Sequence, residues 1–287
     1  MLEYIKLLRP QQYIKNVFLF LPLLFSENIM QIGLLTNSFL AFLIFCFSAS
    51  SVYIINDIRD VEQDRMHPHK KDRPIASGAV PVGQALFISV SLMLGGIITS
   101  FLLHTAFGVI MTTYLVMNLA YSFGLKRVTI LDVTIIAIGF VLRVLAGAAV
   151  VEIVASMWIV LMTFLLALFL ALGKRRDDLL LSRDGLETRR NIDGYSLRFV
   201  NLAMTIMATV VIVCYIMYTI SYEVQSRVDS EHLYLSSVFV ILGILRYMQR
   251  TFVENNSGNP TMALYQDRFI QVCIILWLIS LALVYYV

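Results

Sequence analysis

Charge is scarce in this chain: Asp, Glu, Lys and Arg make up 14% of 287 positions, against 59% apolar residues. That balance excludes a soluble domain, and equally a soluble domain hung on a single anchor. Cysteine is sparse too. Cys46, Cys214 and Cys273 stand alone in separate apolar runs with no CxxC pair and no neighbouring His pattern, so they are read as packing residues rather than a redox or zinc centre. His67 and His69 lie close together, but without Cys or a HExxH arrangement they are read as polar loop residues. No Ser–His or Cys–His nucleophile arrangement stands out. The opening MLEYIKLLRP carries charge ahead of any long apolar run and lacks a small-residue cleavage site. It is therefore expected to be an interfacial helix and not a removed signal peptide. No solenoid-period repeat or low-complexity stretch interrupts the chain, which is read as one domain, 1–287.

What is abundant is hydrocarbon. Apolar runs long enough to cross a bilayer about 30 Å thick, where unpaired backbone groups find no water, predict an all-α polytopic membrane protein. Nine spans are expected, at roughly 12–34, 38–56, 82–103, 105–123, 127–151, 157–175, 199–221, 232–251 and 267–287. Placed on this map, every Lys and Arg except Arg143, in mid-span, and Arg227 falls on one side: the N-terminus and the connections after spans 2, 4, 6 and 8. Glu27, Glu152, Glu223, Asp229 and Glu231 accompany Arg227 on the other side. The positive-inside rule then puts the N-terminus and the long connections 57–81 and 174–198 in the cytoplasm and the C-terminus outside, in a plasma (inner) membrane.

The most informative segment is NDIRDVEQD, 56–64, which closes the second apolar run. At about 100° per residue, Asn56, Asp60 and Asp64 fall at roughly 0°, 40° and 80° on a helix, with Asp57 near 100° and Glu62 on the opposite side. An oxygen-only, sparsely carboxylate set with room for water and phosphate suits Mg²⁺ better than zinc or copper. A basic run follows and closes in RPIASG, 73–78; carboxylates for a cation beside Lys and Arg for phosphate oxygens is the pattern a metal–phosphate complex needs. The second long connection opens on Lys174-Arg175-Arg176-Asp177-Asp178 and ends near Tyr195-Ser196-Leu197-Arg198. Lys15-Asn16, Lys126-Arg127 after Tyr121-Ser122, and Arg246-Tyr247 add cations at other helix ends. Each of these alone is explained by snorkelling; together with the acidic face they predict a phosphate site. Arg143 is expected to face the interior, where it meets an anion or pairs with Asp132, because an ionisable group at mid-bilayer is costly otherwise. Gly139 and Gly147 flank it on nearly one helical face and would admit a close neighbour.

Asn-Asp-x-x-Asp-x-x-x-Asp at the end of the second span, followed by RPIASG, resembles the first signature of the UbiA-type intramembrane prenyltransferase superfamily. RPQQYIKN at 9–16, YSFGLK at 121–126, ALGKRRDDL at 171–179, YSLRFV at 195–200, LRY at 245–247 and DRFIQV at 267–272 are similar to its decaprenyl-phosphate phosphoribosyltransferase branch. The resemblance implies a nine-transmembrane-helix bundle with a central cavity, a cytoplasmic cap and an Mg²⁺ site. It implies Asn56, Asp60 and Asp64 as metal ligands, Asp57 as an outer-shell helper among the substrate-binding residues, and Arg73 and Lys126 as diphosphate contacts. Lys174 takes the basic second motif with Asp60 and Asp64 as catalytic residues. Tyr121, Arg175, Arg198, Lys15, Arg143 and Arg246 complete the expected substrate contacts. Most of the superfamily carries a second acidic DxxxD motif after the sixth span; here Lys174, Arg175 and Arg176 stand instead, and Asp177-Asp178 has the wrong spacing.

The implied reaction is transfer of 5-phosphoribose from phosphoribosyl diphosphate to a polyprenyl phosphate, as in cell-envelope biosynthesis. The alternative is a conventional prenyltransferase that moves a prenyl group from its diphosphate to an aromatic or lipid acceptor. A transporter is disfavoured because nearly all the charge lies at one surface. No nucleic acid is expected as partner, and a homo-oligomer is compatible with the sequence without any residue pattern specifying it.

Overall fold

The computed structural model describes residues 2–26, 28–66, 70–183, 192–228, 230–255 and 260–286, so His67, His69, Glu27 and Asp229 lie outside the described residues. Among those described, all regular structure is helical. In order these are α1 (Leu2–Leu8), a 3₁₀ segment (Pro10–Phe20), α2 (Leu21–Leu24), α3 (Ile32–Arg59), α4 (Val61–Met66), α5 (Val82–Leu103), α6 (Thr105–Phe123) and α7 (Leu131–Val150). There follow α8 (Met157–Arg183), α9 (Leu197–Thr219), α10 (Tyr222–Val228), α11 (Ser237–Phe252), α12 (Pro260–Gln266) and α13 (Arg268–Tyr286). Six of them, α3, α5, α6, α7, α8 and α9, are long and apolar enough to cross a membrane, and Arg268–Val284 is a shorter apolar helix.

Two of the changes to the expected spans have a clear local cause. The apolar run 12–34 does not form one helix: it divides into the 3₁₀ segment, α2 and a turn before α3 begins at Ile32. Pro10 and Pro22 each sit at a helix start, where a missing N–H costs nothing, and each restarts the chain. At the other change, α8 continues through the basic motif to Arg183, so Lys174–Asp178 is helical and not a loop. Arg175 and Asp178, one turn apart and 2.9 Å from each other, support that extension.

The chain divides into two compact units, Met1–Ala155 and Ser156–Val287. In the first, α3 packs against α5, α6 and α7, and the 3₁₀ segment lies against α3 and α7. Its core holds Leu19, Phe45, Phe107, Met111, Leu115 and Val150. Gly147 makes that arrangement feasible: a Cβ there would overlap the Leu19 carbonyl, so only glycine lets the 3₁₀ segment reach the α7 backbone. Gly139, by contrast, has nothing closer than the Arg143 guanidinium, 3.5 Å from its would-be Cβ.

In the second unit α8 pairs with α9 and α11 with α13. The Tyr215 hydroxyl links them, taking a hydrogen bond from Trp277 Nε1 (2.7 Å) and sharing one with the Ser236 hydroxyl (2.8 Å). Phe169 and Tyr247 stack edge-on at 5.3 Å, with Met204 buried nearby against Gly173.

Candidate active site

The acidic segment forms the end of α3 and the start of α4. The helix breaks at Asp60, but Asp60 N–H donates to the Asn56 carbonyl (3.0 Å) and Asp64 N–H to the Asp60 carbonyl (2.8 Å). This four-residue spacing keeps Asn56, Asp60 and Asp64 on one side through the break. Glu62 points away and pairs with Arg65 at 3.2 Å in solvent.

Each carboxylate meets a cation from another segment. Lys126, on a single 3₁₀ turn after α6, donates to both oxygens of Asp60, at 2.7 and 3.1 Å. One nitrogen of Arg73 donates to Asp64 Oδ2 at 2.6 Å and to Asp57 Oδ1 at 3.1 Å. Arg9 also donates to Asp57 Oδ1, and its guanidinium lies 5.6 Å from the Tyr53 ring centre. Asp57 and Asp64 are both 4% exposed, so these contacts replace water rather than decorate a surface.

The placement follows from an apolar cluster beneath it. Leu7, Ile54, Ile75, Val80 and Ala85 form one buried group. Leu7 lies two residues before Arg9, Ile75 two after Arg73, and Ile54 three before Asp57. Burying these three side chains fixes the segments that carry the charges. The connection holding Arg73 is turned on itself by Ser77 N–H to the Arg73 carbonyl (2.9 Å) and Val80 N–H to the Pro74 carbonyl (2.9 Å), with Gly78 at φ 80°. Arg9 is the residue that sequence reasoning passes over. Its only local sign is Pro10, which constrains the residue before it.

As a cation site the donor set is incomplete by itself. Among the described residues no group of three or more His, Cys, Asp or Glu side chains could hold a metal ion. Two carboxylates and the Asn56 amide, already neutralised by Lys126 and Arg73, fit a hard divalent ion when water or phosphate oxygens complete its shell.

The remaining expected residues are distributed as follows. Lys15 and Asn16 lie on the 3₁₀ segment, and Asn16 is buried. Arg143 points into the core of the first unit, as expected, but among the described residues its hydrogen-bond partners are neutral. It donates to Asn16 Oδ1 (2.8 Å), the Gly139 carbonyl (2.7 Å) and the Tyr114 hydroxyl (3.0 Å), with Phe45, Tyr114 and Phe140 rings 4.9–5.3 Å from its guanidinium carbon. Neutral donor–acceptor pairing and aromatic faces thus replace the pairing with Asp132. Tyr121 is half-buried on α6, five residues before Lys126.

In the second unit Lys174 is exposed on α8, while Arg175 is fully buried and paired with Asp178. Arg176, buried as well, donates to Asn201 (3.1 Å) and Asn255 (2.9 Å). Arg198 is exposed in the first turn of α9, which Ser196 caps by accepting from Phe199 N–H at 3.1 Å. Arg246 sits in an ion-pair network with Asp267 (2.8 Å) and Glu254 (2.8 Å), joined by Arg250 (3.0 Å to Asp267). Burial pushes the Asp267 carboxyl up, but hydrogen bonds from Arg246, the Ile270 N–H and Arg250 outweigh it and hold it down at about 2.

The model of the UbiA prenyltransferase family matches residues 20–272. The chain belongs to that family. Decaprenyl-phosphate phosphoribosyltransferase of Corynebacterium glutamicum is 33% identical, over 99% of this chain and 86% of that protein. The proteins of that name from Mycolicibacterium smegmatis and Mycobacterium tuberculosis are 32% and 31% identical, each over 96% of this chain and covering 89% and 91% of their own lengths. Among solved structures, a UbiA homolog from Archaeoglobus fulgidus bound to DMAPP and Mg²⁺ superposes with a TM-score of 0.74 at 18% identity, covering 99% of both chains. The apo UbiA homolog from Aeropyrum pernix superposes at 0.68 and 18% identity, over 92% of this chain and 97% of its own. The protein is accordingly an integral membrane protein of the UbiA fold.

Proposed function

We propose that this protein transfers 5-phosphoribose from phosphoribosyl diphosphate to a polyprenyl phosphate and releases diphosphate. One observation carries the choice of donor: α8 bears Lys174, Arg175 and Arg176 where a second acidic motif would hold a second Mg²⁺ on a prenyl diphosphate. Whole-chain likeness to relatives named for that reaction supports the same reading.

Arg73 and Lys126 are the cations that pair with Asp64 and Asp60, and we assign them to the donor's diphosphate, where they stabilise charge as it leaves. Asn56, Asp60 and Asp64 would hold Mg²⁺, which supplies further positive charge for the departing diphosphate. A solved neighbour of the same fold with Mg²⁺ bound supports use of that metal. We assign Lys174, with Arg198, to the acceptor phosphate. An acceptor phosphate oxygen attacks ribose C1 as the C1–O bond to diphosphate breaks, and diphosphate takes the electron pair. The acceptor is already anionic, so no side chain has to remove a proton, consistent with the lack of a nucleophile–His pair. Apolar helix faces bind the prenyl tail at roughly 0.8 kcal/mol per buried CH₂.

For topology we propose nine crossings in one domain: the six long apolar helices, residues 10–24, the α11 region and α13, with the acidic site at the cytoplasmic face. The heavy concentration of Lys and Arg on one side of that map supports it.

The deciding experiment supplies purified protein with labelled phosphoribosyl diphosphate and a C50 polyprenyl phosphate. A labelled lipid, heavier than the acceptor by one phosphoribosyl group, is the expected product. No labelled lipid, with a prenyl diphosphate consumed in a parallel reaction that offers it with an aromatic or lipid acceptor, would establish the conventional prenyltransferase.

A further inference from the structure

Arg9 is one of four non-glycine residues with positive φ among the described residues, at φ 54° and ψ 58°. A left-handed conformation is costly for a branched-off Cβ, and Pro10 restricts this position further. Glycine, with no Cβ, would adopt this backbone more readily. Arginine is held there by its neighbours on both sides. Arg9 N–H donates to the Lys6 carbonyl at 3.1 Å, Gln12 N–H to the Arg9 carbonyl at 2.9 Å, and the preceding Leu8 carbonyl accepts from the Ser50 hydroxyl at 2.8 Å. The side chain's destination is Asp57.

Arg9 and Arg73 address the same oxygen, Asp57 Oδ1, and the Arg73 nitrogen that does so also reaches Asp64. Arg73 is closer to Asp64 (2.6 Å) than to Asp57 (3.1 Å). With Arg9 on Asp57, that buried carboxylate is already neutralised and does not need the whole of Arg73.

We propose that Arg9 is a positioning residue: acting through Asp57, it leaves Arg73 poised on Asp64, from which the donor's diphosphate can draw it. This rests on the assignment of Arg73 to the diphosphate. Without Arg9, Asp57 is buried with one cation and takes Arg73 for itself. Asp64 is then released, and one positive charge is gone from the cluster. Free divalent cation binds more tightly, while Arg73 is withheld from the donor. The two effects have opposite signs, whereas a merely structural role weakens both.

The test uses the full chain in detergent with Arg9→Met, Arg9→Gly and Arg9→Lys, and reads Mn²⁺ affinity by spin-resonance titration without donor, the thermal midpoint, and KM for phosphoribosyl diphosphate. Loss of one unit charge beside the carboxylates should tighten Mn²⁺ binding by about threefold or more in Arg9→Met and Arg9→Gly. KM for the donor should rise by about tenfold as a charge-assisted contact is lost. Arg9→Lys should restore both toward the parent, and Arg9→Gly, free of the left-handed cost, should melt no lower than Arg9→Met. Mn²⁺ binding that is unchanged or weaker in the folded variants would overturn the proposal. If the parent protein makes no phosphoribosyl lipid, the functional reading fails separately, and the Mn²⁺ titration still decides the role of Arg9.

Discussion

Replacing Lys126 with Met separates what its contact with Asp60 does for folding from what it does for chemistry. At about 3 Å and an effective dielectric near 20, the gross attraction is about 5 kcal/mol. The side chains of Lys126 and Asp60 are 23% and 34% exposed, however, and a half-open pair of this kind nets only about 1 kcal/mol after solvent screening and side-chain ordering. Lys126→Met should therefore lower the thermal midpoint by only about 2–4 °C. Losing one preorganised donor from a departing oxyanion costs much more, about 2.7–4 kcal/mol of transition-state stabilisation, or about 10²–10³ in turnover. The assay is transfer of label from phosphoribosyl diphosphate to lipid, run on protein whose folded fraction is measured in parallel. Lys126→Arg should recover part of the loss, since it keeps the charge but spreads it. Turnover within about threefold of the parent would refute the assignment of Lys126 to the leaving group, and so would an activity loss no larger than the fraction unfolded.

Asp60→Asn and Asp64→Asn preserve shape and should leave the detergent-extracted protein folded while turnover falls by about 10³ or more, as metal-supplied charge is lost; near-parental activity in both would remove them from the mechanism. Gly147→Ala puts a methyl into the Leu19 carbonyl and should destabilise by about 1–3 kcal/mol in thermal unfolding. Gly139→Ala, whose methyl meets only ordinary contacts, should be neutral or gain up to about 1 kcal/mol of helix propensity. Asp267, held at about 2 against an ordinary 3.8, contributes stability that is present above pH 4 and lost as pH falls toward 2. Arg246→Gln should shift that acid loss to higher pH and lower stability, and the size of any excess drop in turnover measures its share in substrate binding.

What could be read before the fold was known is what depends on local spacing. Asn56, Asp60 and Asp64 share a side because the four-residue period survives even the break at Asp60. The long apolar helices follow from composition, and α5 and α6 begin and end where hydropathy puts them. The basic motif at 174–178 was legible as charge but not as helix, because a run of cations looks like a loop until Arg175 finds Asp178 one turn on. The run 12–34 looked like one crossing because hydropathy does not register that prolines at 10 and 22 restart the chain.

Partnership was harder to read than position, and Arg143 and Arg9 illustrate why. An intramembrane arginine demands compensation, and sequence distance pointed to Asp132; the fold instead supplies an amide, a carbonyl, a hydroxyl and three aromatic faces from α3, α6, α7 and the 3₁₀ segment. None of these advertises itself, because neutral groups carry no charge signal and their convergence depends on Gly147 admitting the 3₁₀ segment to α7. Arg9 belongs to the same class. Its value lies in a backbone conformation that costs of order 1–3 kcal/mol and a carboxylate 48 positions away, both invisible to a spacing rule. The acidic motif marks the proposed site, but its charge is balanced by residues that only the fold brings to it.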